Sequence, residues 1–183
     1  MRYDAVVIGG GRSGCAEALR RASDGQKVCL VTAGLTLHSL EPELKGKPYL
    51  ELHTLTKAGI AVLRGDIVEE VLWEATASDP VRAVKTANGV ILEAKEFVLA
   101  TGRFFSRGLV ADMEGVREPV FGADVDFPED RSKWFDPDFF APQPFESFGV
   151  KTDKSGRILK GGKPVENVFA VGKILGGKHN AGR

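Results

Sequence analysis

The chain has 183 residues, 43% of them hydrophobic, which is enough to bury one core and sets the expectation of a single domain. Its 25 basic residues balance 25 acidic ones, which argues against a nucleic-acid footprint or a polybasic membrane surface and leaves a small polar ligand as the better fit. Cys15 and Cys29 both fall in apolar segments without Cys-x-x-Cys or metal-ligand spacing, and only four apolar residues precede Gly9. That run is too short for a signal-peptide core or a membrane span, so a reducing, cytoplasmic compartment is expected.

The first unit is a short buried strand, Ala5-Val6-Val7-Ile8, then the turn Gly9-Gly10-Gly11-Arg12-Ser13-Gly14 and a helix reaching about residue 24. Cys15, Ala18, Leu19 and Ala22 recur at i, i+3, i+4 and i+7 and form its apolar face, with Glu17, Arg20, Arg21 and Asp24 pointing away. Gly25 ends the helix and a second strand runs over 27–32, giving a β-α-β unit with parallel strands and a right-handed crossover. Residues 33–48 carry Gly34, Pro42, Gly46 and Pro48 among charges and predict a loop. A helix is expected over 49–58 and a strand over 60–63, followed by a meander over 67–73, 81–86 and 90–92. Asn88-Gly89 between its last two runs is a strong hairpin signal. A separate apolar strand over 97–100 leads into Thr101-Gly102. Residues 103–148 are rich in aromatics, prolines and acids, as expected of an ordered excursion packed by its own aromatics. A hairpin-like pattern over 150–163 and an apolar strand over 168–171 precede Gly172.

The chemistry-bearing pattern is Gly9-x-Gly11-x-x-Gly14, set between a strand and a helix inside a β-α-β unit. The first glycine permits the sharp turn, the second lets backbone approach a pyrophosphate, and the third lets helix and strand pack closely. The helix amino terminus then offers free N–H groups and a partial positive charge to the phosphates. At the end of the second strand, where an acid usually binds ribose hydroxyls, stand Thr32, Ala33 and Gly34. No Arg or Lys follows at once, which disfavours NADP. Cys15 and Cys29 are read as core residues. His38, His53 and His179 stand apart, with no Ser, Cys or acid at triad spacing, and Asp124, Asp126, Glu129 and Asp130 lack the glycine and terminal Glu of a calcium loop.

The order of these pieces resembles the two-dinucleotide-binding FAD flavoproteins. The resemblance rests on Asp4-Ala5-Val6-Val7-Ile8-Gly9-Gly10-Gly11, on Ala100-Thr101-Gly102 and on the late strand ending in Gly172. It implies an α/β, Rossmann-like FAD/NAD(P)-binding fold with a central parallel sheet, crossover helices and an antiparallel β-meander. It further implies that Gly9, Gly11, Ser13 and Gly14 hold phosphate, Thr32 the ribose and Val68 the adenine, with Thr101, Gly102, Arg103 and Gly172 on the flavin side. More specific strings resemble the B subunit of anaerobic glycerol-3-phosphate dehydrogenase. They are 102–111, Arg117-Glu118-Pro119-Val120-Phe121-Gly122, Asp138-Phe139-Phe140-Ala141-Pro142-Gln143-Pro144, Phe148-Gly149-Val150 and 167–177. That family implies a flavin-binding subunit, with FMN the cofactor usually assigned to it, in a quinone-linked complex that oxidises glycerol 3-phosphate; for this chain FAD is expected, with FMN as the alternative. Partner subunits would then supply any membrane association. Family members are longer, with a cap or substrate region before residue 50 and a helix after the late glycine, and Lys173 stands where the broader fold tends to carry an acid. The opening 9–15 also looks like FAD-dependent tRNA-modification proteins, which the later strings do not favour. A non-catalytic nucleotide-binding assembly module and an NAD-binding reductase fragment remain as rivals from other classes.

Overall fold

The computed structural model describes residues 1–34, 48–76 and 79–177. The loop expected over 33–48, apart from its two ends, and His38 and His179 lie outside the described residues. The elements in chain order are β1 (Arg2–Ile8), α1 (Arg12–Ser23), β2 (Val28–Thr32), α2 (Pro48–Lys57), β3 (Ala61–Arg64), β4 (Val68–Trp73), β5 (Val81–Thr86) and β6 (Ile91–Leu99). The short strands β7 (Val110–Ala111), β8 (Val116–Arg117), β9 (Val125–Asp126) and β10 (Gly149–Val150) follow, and then the hairpin β11 (Arg157–Lys160) and β12 (Lys163–Ala170).

The main sheet has the order β11-β12-β6-β1-β2-β3. Every neighbouring pair from β12 to β3 is parallel, with Val6 opposite both Cys29 and Phe97. The chain fills this sheet outward from β1 in one direction as β2 and β3, then returns to the other side as β6 and β12. The connection therefore reverses between β1 and β6, the place where open α/β sheets leave a crevice beyond their carboxyl ends.

Alternation along the central strands feeds two cores. Val7, Val28, Leu30 and Val98 point toward α1 and α2, joining Cys15, Ala18 and Leu55. Val6, Ile8, Cys29, Val31, Phe97 and Leu99 point the other way, joining Phe121, Phe148, Ile158 and Val168. Helices thus line one core, and the second is filled by the meander, the late hairpin and aromatics of 104–148. Phe127, Trp134 and Phe148 meet with ring centroids 5.8–6.4 Å apart, and Trp134 Nε1 donates to the Pro128 carbonyl at 2.6 Å.

Two local readings of the sequence are corrected. Arg21 does not face solvent: its side chain is 7% exposed and pairs with Glu17 at 2.7 Å and Glu96 at 2.5 Å, tying α1 to β6. A long side chain can cross a helix face to reach an acid on the sheet, which helical spacing alone does not reveal. The runs over 90–92 and 97–100 are also not two strands. They belong to one strand, β6, whose first residues pair antiparallel with β5 and whose length pairs parallel with β1.

Because β5 and β12 both adjoin β6, a gap opens between them, and Asn167 fills it. Its Oδ1 accepts from Val81 N at 2.8 Å, and its Nδ2 donates to the carbonyls of Val81 at 2.8 Å and Lys95 at 3.0 Å. Asn167→Ala is expected to lower stability by about 2 kcal/mol, the net value of such a set with part of it rehydrated. Urea unfolding measures this, and a loss below about 0.5 kcal/mol would show the side chain to be dispensable.

Candidate functional site

Five strand ends converge at one rim of the parallel sheet. β1 leads into Gly9, β2 ends at Thr32, β3 at Arg64, β6 leads into Ala100-Thr101 and β12 into Val171-Gly172. Gly9 N donates to the Val31 carbonyl at 2.8 Å, Ala100 N to Ile8 at 2.8 Å and Val171 N to Leu99 at 3.0 Å, so these loops leave the sheet in register.

The three glycines of the turn are required for different reasons. Gly9 has φ 117°, and a Cβ there would strike the Ala100 carbonyl. A Cβ on Gly14 would strike the Gly9 carbonyl. These two let β1, β6 and α1 close on one another. Gly11 is different: it has an ordinary φ of −80° and a Cβ would meet nothing within 4 Å. Among the described residues nothing requires a glycine there, which leaves the backbone open to the approach of a ligand.

Gly11 is also the N-cap of α1, with no side-chain cap and no acid in the first turn. The first N–H groups of a helix have no intrahelical partner, so this terminus presents donors and a partial positive charge to the rim.

The expected flavin-side residues form a second cluster. Gly172 has φ 78° and its missing Cβ makes room for the Ser13 side chain, which brings the late strand against the glycine turn. Arg103 Nε donates to the Lys173 carbonyl at 2.9 Å, linking the loop after β6 to the turn after β12. Gly102 has φ 72° and leaves space for Ser106, whose hydroxyl donates to the Thr101 carbonyl at 2.6 Å. Sequence reasoning misses Ser106; only a polar residue four places after Gly102 hints at it. Among the described residues, Thr101 Oγ1 is buried without a hydrogen-bond partner, which costs about 1–3 kcal/mol unless a bound group or a water satisfies it.

Thr32 and Val68 stand away from that cluster. Thr32 is buried and opposite Arg64 in register, and its carbonyl accepts from Asp66 N at 3.2 Å. Asp66 is therefore the acid closest in the chain's own bonding to the end of β2, a neighbour that sequence reasoning does not assign. Burial alone would raise its pKa, but bonds from Thr86, Asn88 and the Ile67 N–H outweigh that and hold the carboxyl below its ordinary value. Those bonds brace the hairpin between β5 and β6. Val68 opens β4 opposite Thr86 and packs on the larger core. An open cleft of about 560 Å³ lies beside it along the edge of the sheet, lined by Val62, Leu63, Arg64, Asp66, Asn88 and Val90.

The remaining candidates are structural. Cys15 and Cys29 are buried, and burial pushes the Cys29 thiol up to about 11. Asp124 accepts from Gly161 N and Gly162 N at 2.9 and 2.7 Å and so caps the hairpin between β11 and β12. Among the described residues no cluster of three His, Cys, Asp or Glu side chains could hold a metal, and no helix is long and apolar enough to cross a membrane.

Among the described residues the rim offers an acid-free helix terminus, open space over Gly11 and, at Thr101, a buried hydroxyl without a hydrogen-bond partner, a combination that suits a dinucleotide. Comparison with known proteins bears on which one. The B subunit of anaerobic glycerol-3-phosphate dehydrogenase from Yersinia enterocolitica is 36% identical over 176 residues, covering 94% of this chain and 39% of that protein. Its counterpart from Pectobacterium atrosepticum is 35% identical over 190 residues, covering 91% of this chain and 44% of that protein. The chain thus spans less than half the length of these relatives. Among solved structures, a geranylgeranyl bacteriochlorophyll reductase-like protein from Thermoplasma acidophilum aligns with a TM-score of 0.44 and 18% identity, over 55% of this chain and 39% of that one. The model of the FAD binding domain family matches residues 51–183, and with the glycine turn, the parallel sheet and the rim described above, the chain belongs to that family.

Proposed function

We propose that the protein is the flavin-binding part of an oxidoreductase, holding FAD along the rim from the adenosine side at β2 to the flavin side at Thr101 and Gly172. The observation that carries this reading is the open space over Gly11 at an uncapped helix terminus. Gly9, Gly11, Ser13 and Gly14 hold the pyrophosphate. Thr32 faces the ribose and Val68 supplies a backbone contact to the adenine. Thr101, Gly102, Arg103 and Gly172 line the flavin side.

The flavin, when bound, supplies hydride or electron transfer, and the protein's contribution is position and charge. The turn N–H groups offset phosphate charge, Ser106 holds the Thr101 carbonyl in place, and the Arg103 link keeps the two flavin-side loops together. FMN is the alternative cofactor, because its single phosphate meets the same turn. Similarity to the B subunit of anaerobic glycerol-3-phosphate dehydrogenase supports glycerol 3-phosphate as the substrate of the assembled enzyme, with further dehydrogenase subunits as partners.

Adding FAD to the purified chain is expected to give a protein-retained band at about 450 nm, the wavelength of an oxidised flavin. A chain that stays colourless with both FAD and FMN would overturn the reading in favour of a non-catalytic assembly module. Thermal stabilisation by NADH alone would instead favour a nicotinamide site.

A further inference from the structure

We propose that the loop over residues 134–146 is a docking surface for a second, different polypeptide, one that presents an apolar pocket rimmed by Lys or Arg. The proposal deepens the reading above that further subunits join this chain, and it does not depend on which flavin the rim holds.

Among the described residues eight large apolar side chains stand exposed, and five of them, Phe105, Met113, Phe135, Phe139 and Phe140, lie in the excursion after β6. Single exposed apolar residues are ordinary; their concentration in one segment marks an interaction surface. Phe139 and Phe140 are 85% and 93% exposed, and their rings meet edge-on with centroids 5.7 Å apart.

The loop that carries them is braced. Phe145 N donates to the Trp134 carbonyl at 3.0 Å and closes its base, and the rings of Trp134 and Phe145 pack against Phe148 and Phe104. Gln143 bridges the interior: its Oε1 accepts from Asp136 N at 2.9 Å, and its Nε2 donates to the carbonyls of Asp138 at 3.0 Å and Ala141 at 3.1 Å. Asp136 and Asp138 accept from the N–H groups of Asp138 and Phe140 at 2.8 and 3.0 Å. Two aromatic rings are thus held in water by a loop ordered before any partner arrives, which removes part of the entropy cost of association. Fixed aromatic anchors of this kind dominate binding energy at interfaces.

Charge selects the occupant. Residues 134–146 carry Asp136, Asp138 and Glu146, all exposed, and no Lys or Arg, in a chain whose charges otherwise balance. In a two-fold contact between copies of this loop the same acids would face one another, and like charges brought together cost affinity. Anionic lipid headgroups would repel them too. A basic rim around an apolar pocket satisfies the acids and the rings together.

The test replaces Phe140 of the whole chain by the photoreactive amino acid p-benzoylphenylalanine, produces it tagged in its own cells and irradiates them. The cross-linked peptide is expected to come from another polypeptide and to carry Lys or Arg beside apolar residues. Phe139→Ser with Phe140→Ser is expected to lower affinity for that polypeptide about a hundredfold. Asp136→Asn with Asp138→Asn, which keeps acceptors for the loop N–H groups, should lower it about tenfold at low salt and little at about 0.5 M salt. Both double variants are expected to melt with the unsubstituted chain, because the four side chains are exposed. Cross-links confined to this chain, to a second copy of it or to lipid overturn the proposal, as does an affinity that the Phe139 and Phe140 changes leave within about twofold. If the tagged chain emerges with further subunits but without the Phe140 cross-link, the docking surface alone fails. If it emerges by itself, the reading that further subunits join it fails as well.

Discussion

Gly14→Ala is expected to remove at least about 3 kcal/mol of stability, and Gly11→Ala no more than about 1 kcal/mol while still abolishing most flavin binding. The two positions lie three residues apart in one turn, so the contrast separates folding from ligand contact. At Gly14 a Cβ would press into the Gly9 carbonyl and toward the Ala100 side chain, forcing α1 away from β1 and β6. For a chain of this size the expected loss corresponds to a drop of roughly 6–12 °C in Tm. At Gly11 a Cβ meets no atom of the described residues within 4 Å. Its only cost in the free protein is the poorer N-cap that alanine makes. With the pyrophosphate on this turn as proposed, the same methyl would occupy its space, and affinity should fall at least tenfold, about 1.4 kcal/mol. Thermal melts with and without FAD check both arms: Gly11→Ala should melt near the unsubstituted chain when free and lose the FAD-induced increase. Unchanged FAD affinity in Gly11→Ala would remove the turn as the phosphate site.

The parts of this architecture that are legible in the sequence are those governed by one local rule. The strand, turn, helix and strand over residues 2–32 each follow from a short apolar run, a helical period or a glycine. β6 is not legible because its two halves obey different rules. Its first half alternates, as a strand with one face in water does, and its last three residues, Phe97, Val98 and Leu99, are buried on both faces. A change of environment within one strand resembles a break. Contacts between loops are invisible for another reason. Ser13 with Gly172 and Arg103 with Lys173 join residues 159 and 70 positions apart, and no periodicity encodes such a meeting. The string Arg117-Glu118-Pro119-Val120-Phe121-Gly122 is recognisable by resemblance alone. Its physical basis is the burial of Glu118.

Glu118→Ala is accordingly expected to cost about 3 kcal/mol or more, the second large effect. Glu118 is 2% exposed. Its Oε1 accepts from Val120 N at 2.7 Å, and its Oε2 accepts from Phe121 N at 2.8 Å and Ala123 N at 3.2 Å. Alanine leaves these buried N–H groups without acceptors, each costing about 1–3 kcal/mol if unsatisfied. The turn they form seats Phe121 edge-on against Phe97 of β6, with centroids 6.4 Å apart. Lys160 Nζ closes it from the other side by donating to the Phe121 carbonyl at 2.6 Å.

The carboxyl also titrates in an unusual sense. Burial raises its pKa above the ordinary 4.5, and the N–H bonds from Val120, Ala123 and Phe121 only partly offset that. A folded pKa above the unfolded one means that this group's contribution is fully present below about pH 4.5 and declines as pH rises through the folded pKa. Glu118→Gln, which cannot ionise, should therefore fall further below the unsubstituted protein in acid than at neutral pH. Melting both proteins between about pH 4 and about pH 8 reads the gap directly. A gap that widens toward neutral pH would mean that the N–H groups dominate and the folded carboxyl is more acidic than the unfolded one. The ordinary carboxylates move oppositely. Asp66 and Asp153 are held below their usual range by hydrogen bonds that outweigh burial, so their contributions are lost as pH falls. The difference between the two melting series isolates Glu118 because those groups are common to both proteins.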